Sequence, residues 1–441
     1  MIYRVYLFAM LAFHAGFAKA SQPASAPEPL PEPLELGYAL SLSKANNIVL
    51  SMVENELAAS RIKQDLIRAD VGLNATFTAR ARWAESPPAL QYLGRKDHAA
   101  LLAVSKPLYD FGRTSNKLRA GEKNQEIAAL RIKRSTQTHR LQIMRAFFDV
   151  LLADLMFARD NEAMAMGYIY YDEMKERESL GQKSELDVLE KDSFYQQARQ
   201  ARYESESRQR LSRNYLTQLL DRPGRLPSRL VMPRLEYHKL KIKEVEVLSK
   251  VALARNLDLR ILAETLTALK YEASAIRAQR LPLLTAEVES GYYQRNIGGN
   301  DIWRAGVAVE VPLFQGGKIS AELALVKNQI RQLELEIYRK KQDIKHQVLE
   351  NWLALGDLTI QSRAAEVLYD YREYDLDRAR ALYEMDAESN LGDSMVALTT
   401  ASLKIAQARF EIAMRWEILA QLTQMTVAEM RMEKPLEEDQ L

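Results

Sequence analysis

The sequence contains no cysteine in 441 residues. Without thiols the chain can form neither disulfides nor thiolate metal sites, and it cannot carry a lipid on a cysteine. Proline is missing from two long stretches, residues 108–222 and residues 313–434. Because proline breaks helices, these two stretches favour helices far longer than those of ordinary globular proteins.

Long apolar runs are also absent after the first twenty residues, so the sequence predicts no transmembrane helix. Residues 1–20 have the pattern of an export signal, in which Arg4 precedes a short apolar stretch and Ala18-Lys19-Ala20 forms a cleavage site. We therefore expect cleavage after Ala20. Residues 21–35 are rich in proline and predict an extended linker. An exported chain of this size is periplasmic, secreted or inserted in the outer membrane as a barrel.

Charge and motifs exclude several classes of function. The chain has 61 basic and 59 acidic residues, and loss of Arg4 and Lys19 with the signal leaves it formally neutral. We therefore expect no nucleic-acid partner. The histidines that remain are scattered, and no phosphate-binding loop or nucleophile motif occurs. We expect no enzymatic activity, no metal site and no cofactor.

An internal repeat organises the rest of the chain. Residues 104–113 read Val-Ser-Lys-Pro-Leu-Tyr-Asp-Phe-Gly-Arg, and residues 309–318 read Val-Glu-Val-Pro-Leu-Phe-Gln-Gly-Gly-Lys. Each copy joins a short alternating stretch to a long helical one, which indicates one structural unit used twice. The residues that mark these strand-to-helix junctions are Pro107, Gly112, Pro312 and Gly317.

Two segments with alternating polarity precede each junction. They predict strands at about 75–84 and 99–106 in the first half, and at about 284–293 and 303–311 in the second. The pattern fits both an antiparallel sandwich and a membrane barrel, and the export signal favours the barrel. Four strands cannot close, and hydrocarbon tolerates no open sheet edge. A barrel therefore needs several copies of the chain, in a number that the sequence leaves open.

The remaining segments predict helices. A moderate helix should precede each pair of strands, at about 40–70 and 244–279. The long proline-free stretches should form helical hairpins. Gly181 divides the first into helices of about 113–179 and 184–220, and the second divides near Glu384–Asn390.

Apolar residues step by three and four along the long helices, as in coiled coils. We interpret these residues, and the methionines that follow them in the first hairpin, as packing rather than as a copper or haem site. The residues are Leu141, Met144, Phe148, Leu151 and Leu155, then Val326, Ile330, Leu333 and Ile337, and the methionines Met164, Met166 and Met174.

The export signal, the two repeats of helix, strand, strand and long hairpin, and the Pro-Leu-aromatic-x-x-Gly-basic junction resemble the TolC-type outer-membrane factors over about 36–425. The resemblance implies a mainly α fold with a small β part. It also implies a homotrimer, with a twelve-stranded β-barrel in the outer-membrane lipid and a periplasmic α-helical barrel. The implied function is passive conduction of substrates from an inner-membrane transporter of RND or ABC type through a periplasmic adaptor. Multidrug efflux and type I secretion in a Gram-negative bacterium are the implied processes.

On this resemblance the chain divides into six parts. They are the signal at 1–20, the linker at 21–35, the first repeat at 36–222, an inter-repeat segment at 223–243, the second repeat at 244–425 and a charged tail at 426–441.

The resemblance also carries over two groups of site residues. The turn of the first hairpin matches the family's turn, which is expected to contact the adaptor, at Gly181, Gln182, Lys183, Ser184 and Asp187. In the second hairpin Asp393 stands where the family often has a gate-lining acid, while Asn390 and Glu384 depart from the family pattern. The candidate gate residues at the periplasmic end are Glu384, Asp386, Glu388, Asn390 and Asp393. These charges are equally consistent with a solvated helix cap.

A second interpretation is a soluble periplasmic coiled-coil scaffold or adaptor whose strands form a small sheet. The nearly charge-free face of the strands at 75–83, 284–292 and 303–311 favours the membrane duct, because a soluble edge would carry protective charge. The sequence does not indicate the cargo.

Overall fold

The computed structural model describes residues 30–44, 48–85, 95–222, 226–295, 301–385 and 390–432. The predicted export signal, with its cleavage after Ala20, lies outside these ranges, as do most of the predicted linker and the candidate gate residues Asp386 and Glu388. No helix among the described residues has the length and apolar character needed to cross a membrane.

The same order of elements occurs twice, which confirms the predicted repeat and the mainly helical fold. The first repeat contains α1 (Leu36–Ser41), a short 3-10 turn (Leu42–Lys44), α2 (Ile48–Ala69), β1 (Asn74–Arg80), β2 (Ala99–Tyr109), α3 (Arg113–Ser179) and α4 (Glu185–Leu219). After a 3-10 turn at Tyr237–Lys239, the second repeat contains α5 (Val245–Arg255), α6 (Leu257–Ala278), β3 (Leu283–Tyr293), β4 (Trp303–Glu310), α7 (Lys318–Glu384), α8 (Leu391–Thr423) and α9 (Val427–Met430). Helices α3 and α7 have 67 residues each, a length of about 100 Å.

The helix that opens the second repeat is divided, where the sequence predicted one helix. Asn256 separates α5 from α6, and its side-chain oxygen accepts hydrogen bonds from the backbone N–H of Asp258 and Leu259. Its amide nitrogen donates to the carbonyl of Leu422 at 3.2 Å. Asparagine favours this N-cap geometry because its side chain replaces the missing intrahelical partner. The break therefore also ties α6 to the end of α8.

The four strands form one antiparallel sheet in the order β1-β2-β3-β4. Strand β2 continues past Pro107 to Tyr109, with irregular pairing at its end, and it pairs with β3 of the other repeat. Residues of like polarity lie opposite each other across the sheet. One row joins Ala75, Val104, Val288 and Ala305, and the neighbouring row on the other face joins Thr76, Ala103, Glu289 and Arg304.

The sheet is exposed in the single chain. Every residue of β1 and of β4 is exposed, including Phe77 at 68% and Trp303 at 69%. These two strands have a sheet neighbour on only one side among the described residues. A soluble sheet buries at least one face against a core. The sheet of one chain is therefore incomplete by itself.

Each strand pair passes into its long helix through a glycine. Gly112 and Gly317 adopt φ angles of +90° and +82°, which side chains other than glycine rarely accept. At the first junction the Asp110 carboxylate accepts hydrogen bonds from the N–H groups of Gly112 and Thr114, at 3.2 and 2.7 Å. In the junction motif identified from the sequence, a glycine with a positive φ thus allows the chain to pass directly from a strand into a helix.

Two hydrophobic clusters lie about midway along the long helices, and the first contains residues of both repeats. In the first, Phe148 of α3 stacks on Phe410 of α8 with ring centroids 4.3 Å apart. In the second, Trp416 is 1% exposed and packs among residues of α5 and α7. Met144, Phe148, Leu151, Val326 and Leu333 of the predicted seams are buried. The coiled-coil spacing therefore identifies core residues.

Candidate functional site

The turn of the first hairpin is fixed by backbone hydrogen bonds. Gly181 has a φ of +71° and follows the last residue of the helix cap, Leu180. The N–H of Gly181 donates to the carbonyl of Glu178 at 2.8 Å, and the N–H of Gln182 donates to that of Arg177 at 2.9 Å. This pattern is the Schellman motif, in which a glycine in the left-handed region closes a helix.

The next helix starts with a reciprocal cap. The N–H of Ser184 donates to the Asp187 carboxylate at 2.9 Å, and the N–H of Asp187 donates to the Ser184 hydroxyl at 3.3 Å. These bonds to Ser184 lower the pKa of Asp187 below its usual value. The two capped ends leave Lys183 and Gln182 exposed at the tip. The turn is therefore a defined shape that presents polar side chains.

The second hairpin ends in a less regular way. Helix α7 stops at Glu384, an exposed acid at a helix C-terminus, where the helix dipole gives it no support. On the far side Asn390 occupies the N-cap position of α8 without a side-chain capping bond. Of the candidate gate residues that the structure describes, neither Glu384 nor Asn390 makes a structural contact that would mark it.

Asp393 is different, because its carboxylate lies near the other hairpin. Tyr170, on α3, is close enough to Asp393, in the first turn of α8, for the carboxylate charge to act on the phenol. Burial, followed by the nearby Asp393 charge, raises the pKa of Tyr170 to about 12. The phenol therefore remains neutral across the physiological pH range. This interaction links the first hairpin to the start of the last long helix.

Two further contacts continue the same seam. The Thr399 hydroxyl lies 3.0 Å from the Glu162 carboxylate. Gly392 packs so closely against Met166 that a Cβ at Gly392 would lie 2.0 Å from the Met166 Cε. Glu162, Met166 and Tyr170 recur every four residues and so share one face of α3. We call these three residues, with Gly392, Asp393 and Thr399, the α3–α8 clasp.

The turn of the first hairpin and the clasp lie at separate places. Tyr170 precedes the end of α3 at Ser179 by nine residues, which corresponds to about 14 Å along the helix. The first hairpin thus extends beyond the point where Asp393 lies near it. The structure does not combine the two groups of predicted residues into one site.

Sequence reasoning missed most of the clasp. It selected Asp393 and treated Met166 as packing, in agreement with the Met166–Gly392 contact. Tyr170, Glu162 and Thr399 carried no motif. The four-residue spacing on α3 was the available signal, but only the fold shows which helix that face meets. Among the described residues, no group of three histidine, aspartate or glutamate side chains is placed to hold a metal ion.

We predict that Gly392→Ala destabilises the clasp. The added methyl group would overlap Met166 unless that side chain moves, and overpacking of this kind costs about 1–3 kcal/mol. Thermal unfolding followed by circular dichroism should show a lower melting temperature.

Two controls make this result specific. Gly356→Ala, in the interior of α7 with open space around its Cβ position, should leave stability unchanged or improve it. In a Met166→Ala background, Gly392→Ala should cost much less than in the natural chain. An equal cost in both backgrounds would show that Met166 is not the neighbour that matters.

Comparison with known proteins shows that this chain resembles several solved structures in its fold. No family model matches the chain, and no curated protein matches it by sequence. Solved structures do match. The CmeC outer membrane channel of Campylobacter jejuni superposes with a TM-score of 0.72 at 14% identity, over 91% of this chain and 90% of that one.

Two other structures give the same result. The outer membrane protein VceC of Vibrio cholerae matches with a TM-score of 0.67 at 15% identity, over 88% of this chain and 94% of that one. The MtrE outer membrane channel of Neisseria gonorrhoeae, in its open state, matches with a TM-score of 0.66 at 14% identity, over 88% of each chain. The fold expected from the resemblance to TolC-type outer-membrane factors is thereby confirmed, and this chain has the fold of these outer membrane channel proteins.

Proposed function

We propose that this chain is a channel-forming protein of the outer membrane, and that three copies close a twelve-stranded barrel continued by a helical tunnel in the periplasm. The observation that carries the proposal is the sheet, which has an exposed apolar face and two strands with a neighbour on one side only. Lipid can cover the apolar face, and β4 of one copy can pair with β1 of the next. This arrangement covers the exposed apolar face and also pairs the free edges of the two outer strands.

The two faces of the sheet support this arrangement. The outward row of Phe77, Leu102, Ser290 and Trp303 is apolar or small, whereas Arg304 on the opposite face pairs with Glu289 at 2.8 Å. Charges on the inner face of a barrel meet water, while an apolar outer face meets hydrocarbon. The alternative of a soluble scaffold would leave Phe77, Trp303 and Val307, each more than 60% exposed, in water. We therefore favour the duct.

Within this proposal the protein conducts passively. An inner-membrane transporter of RND or ABC type supplies the energy, and a periplasmic adaptor contacts the turn at Gly181–Asp187. The α3–α8 clasp would hold the periplasmic end in a resting state, with Asp393 contributing negative charge at the entrance. The trimer, the periplasmic adaptor and the inner-membrane transporter are proposed from the similarity to known channels. Multidrug efflux and type I secretion remain the two processes in view.

The closure of the barrel can be tested by disulfide crosslinking, since the chain has no cysteine of its own. We predict that Thr76→Cys on β1 combined with Gly306→Cys on β4 links different chains when the protein is oxidised in the outer membrane. Both positions lie on the inner face of an outermost strand. Denaturing gels should show a ladder that ends at three chains.

A second pair of cysteines serves as a control for random collisions between chains. Thr76 and Ala103 face each other within one chain, so Thr76→Cys with Ala103→Cys should form a disulfide that links no chains. A ladder ending at another number would contradict the trimer. If Thr76→Cys with Gly306→Cys, and neighbouring pairs such as Thr76→Cys with Ala308→Cys, leave only single chains, closure by β1 and β4 is wrong.

Conductance measurements can separate the two roles proposed for Asp393. Asp393→Asn removes the charge but keeps a polar side chain of the same size beside Tyr170, so we predict reduced cation preference with little change in opening. Tyr170→Phe keeps the charge and removes the phenol hydroxyl that lies near it. Loss of about 1 kcal/mol would shift the balance toward the open state about fivefold, with ion preference unchanged. Planar bilayer recordings report both quantities. Identical behaviour of the two variants would contradict the separation.

Adaptor contact at the first turn can be tested by photo-crosslinking in cells. We predict that a probe at Gln182 captures a periplasmic adaptor protein. A probe at Gln200, which is exposed on α4 about 24 Å from the turn, should capture much less of it. Equal capture at both positions, or none at Gln182, would contradict the docking role of the turn.

A further inference from the structure

A cavity of about 490 Å³ lies midway along the helices, outside the sheet and next to the clasp, since its lining residue Ser402 follows Thr399 by three residues. Its walls come from α3, α7 and α8 and from residues 232–239 of the inter-repeat segment. One chain thus supplies every wall that the structure describes. The volume lies within the range of small-molecule sites in proteins.

One part of the cavity is apolar. Phe410 is 3% exposed and is held in place by its stack on Phe148. Around it lie further apolar side chains of α3, of α8 and of the inter-repeat segment, namely Leu155, Ile405, Met232 and Leu235. Water in contact with such a surface is readily displaced by a hydrocarbon chain.

The other part of the cavity carries an excess of positive charge. Arg234, Lys239 and Arg409 line it, together with His238, against a single lining carboxylate, Glu236. Glu236 already pairs with Lys239 at 3.1 Å. Arg234 lies at the exposed rim and makes no ion pair with the described residues. Of these cationic side chains, Arg234 is therefore the one that no carboxylate of the described residues neutralises.

Behind this rim, several polar groups are fixed but incompletely satisfied. Arg409 donates to the Glu366 carboxylate at 2.8 Å, and the His238 Nε2 lies 3.8 Å from the same oxygen. The Arg409 Nε and the His238 Nδ1 are buried and have no hydrogen-bond partner among the described residues. Buried polar groups without partners are uncommon in folded proteins and often mark a functional site.

From these observations we propose that the cavity binds an amphipathic carboxylate, with its hydrocarbon chain against Phe410 and its carboxylate near Arg234 and Arg409. A bound molecule of this kind would bridge the inter-repeat segment to α8, and so would stiffen the middle of the chain. None of the residues that line the cavity belongs to the sheet or to the clasp, so the proposed site goes beyond conduction.

The test is calorimetric titration of the full chain, purified in an uncharged detergent, with decanoate as the probe. Decanol and decyltrimethylammonium serve as matched probes with the same chain but a neutral or cationic head group, and protein-free detergent gives the blank. We expect saturable binding of about one decanoate per chain, and at least tenfold weaker binding of the other two probes. Equal binding of decanol and decanoate would overturn the proposed carboxylate site.

Variants locate the binding. Arg234→Gln, which breaks no ion pair of the described residues, should weaken decanoate binding about threefold. Ile405→Trp should fill the apolar part of the cavity and abolish binding. Lys250→Gln, an exposed lysine on α5 that lines no part of the cavity, should have no effect. Binding that survives Ile405→Trp, or that Lys250→Gln weakens as much as Arg234→Gln does, would place the decanoate elsewhere and overturn the proposal.

A shortened chain tests whether the acidic residues near the C-terminus of the protein compete with decanoate for the cavity. The N–H of Met432 donates to the carbonyl of Lys241 at 2.8 Å, so the acidic residues Glu437, Glu438 and Asp439 follow a segment anchored near the cavity. A chain ending at Met432 should bind decanoate as the full chain does. Binding seen only after this shortening would mean that the chain's own carboxylates occupy the site, and it would overturn the proposal of a free ligand.

Discussion

Unpaired backbone at the two outer strands is the constraint on which the rest of this structure depends. A β-sheet edge in a membrane must find a partner, because no water is present to satisfy its N–H and carbonyl groups. Strands β1 and β4 have neighbours on one side only among the described residues. The arrangement of the strands also determines where the helices lie. Helices α2 and α6 each precede a strand pair, and α3 and α7 each follow one, so all four helices lie at the same end of the antiparallel sheet. Any ring that the strands form is therefore continued by an equal ring of helices.

Much of this architecture follows from the sequence, because it rests on patterns that repeat over many residues. Proline-free stretches with seams of Phe148 and Leu333 predict long packed helices, and Gly112 and Gly317 mark the points where φ must be positive. The division at Asn256 was not predicted. A single asparagine within a good helical pattern gives little warning, and the break is stabilised by a bond to Leu422, 166 residues later.

The candidate site could be predicted only in part, for a related reason. A turn is a local structure, so Gly181 and Ser184 could be recognised from their neighbours alone. The clasp is a contact between two helices far apart in sequence, and Tyr170 and Asp393 have no local feature that pairs them. The acids around the second turn were selected for their charge, whereas Gly392, with no side chain at all, lies directly against Met166. Close packing between helices depends on small residues as much as on polar ones.

The pairing of β2 with β3 joins the two repeats in a single sheet. Strand β2 ends at Tyr109, and β3 begins only at Leu283, after the whole first hairpin and the inter-repeat segment. During synthesis, β2 must therefore wait for most of the chain before its second edge is covered. Non-local pairing of this kind slows folding and leaves aggregation-prone strands exposed meanwhile. The first half of this protein thus keeps an open strand edge until the second half has been made.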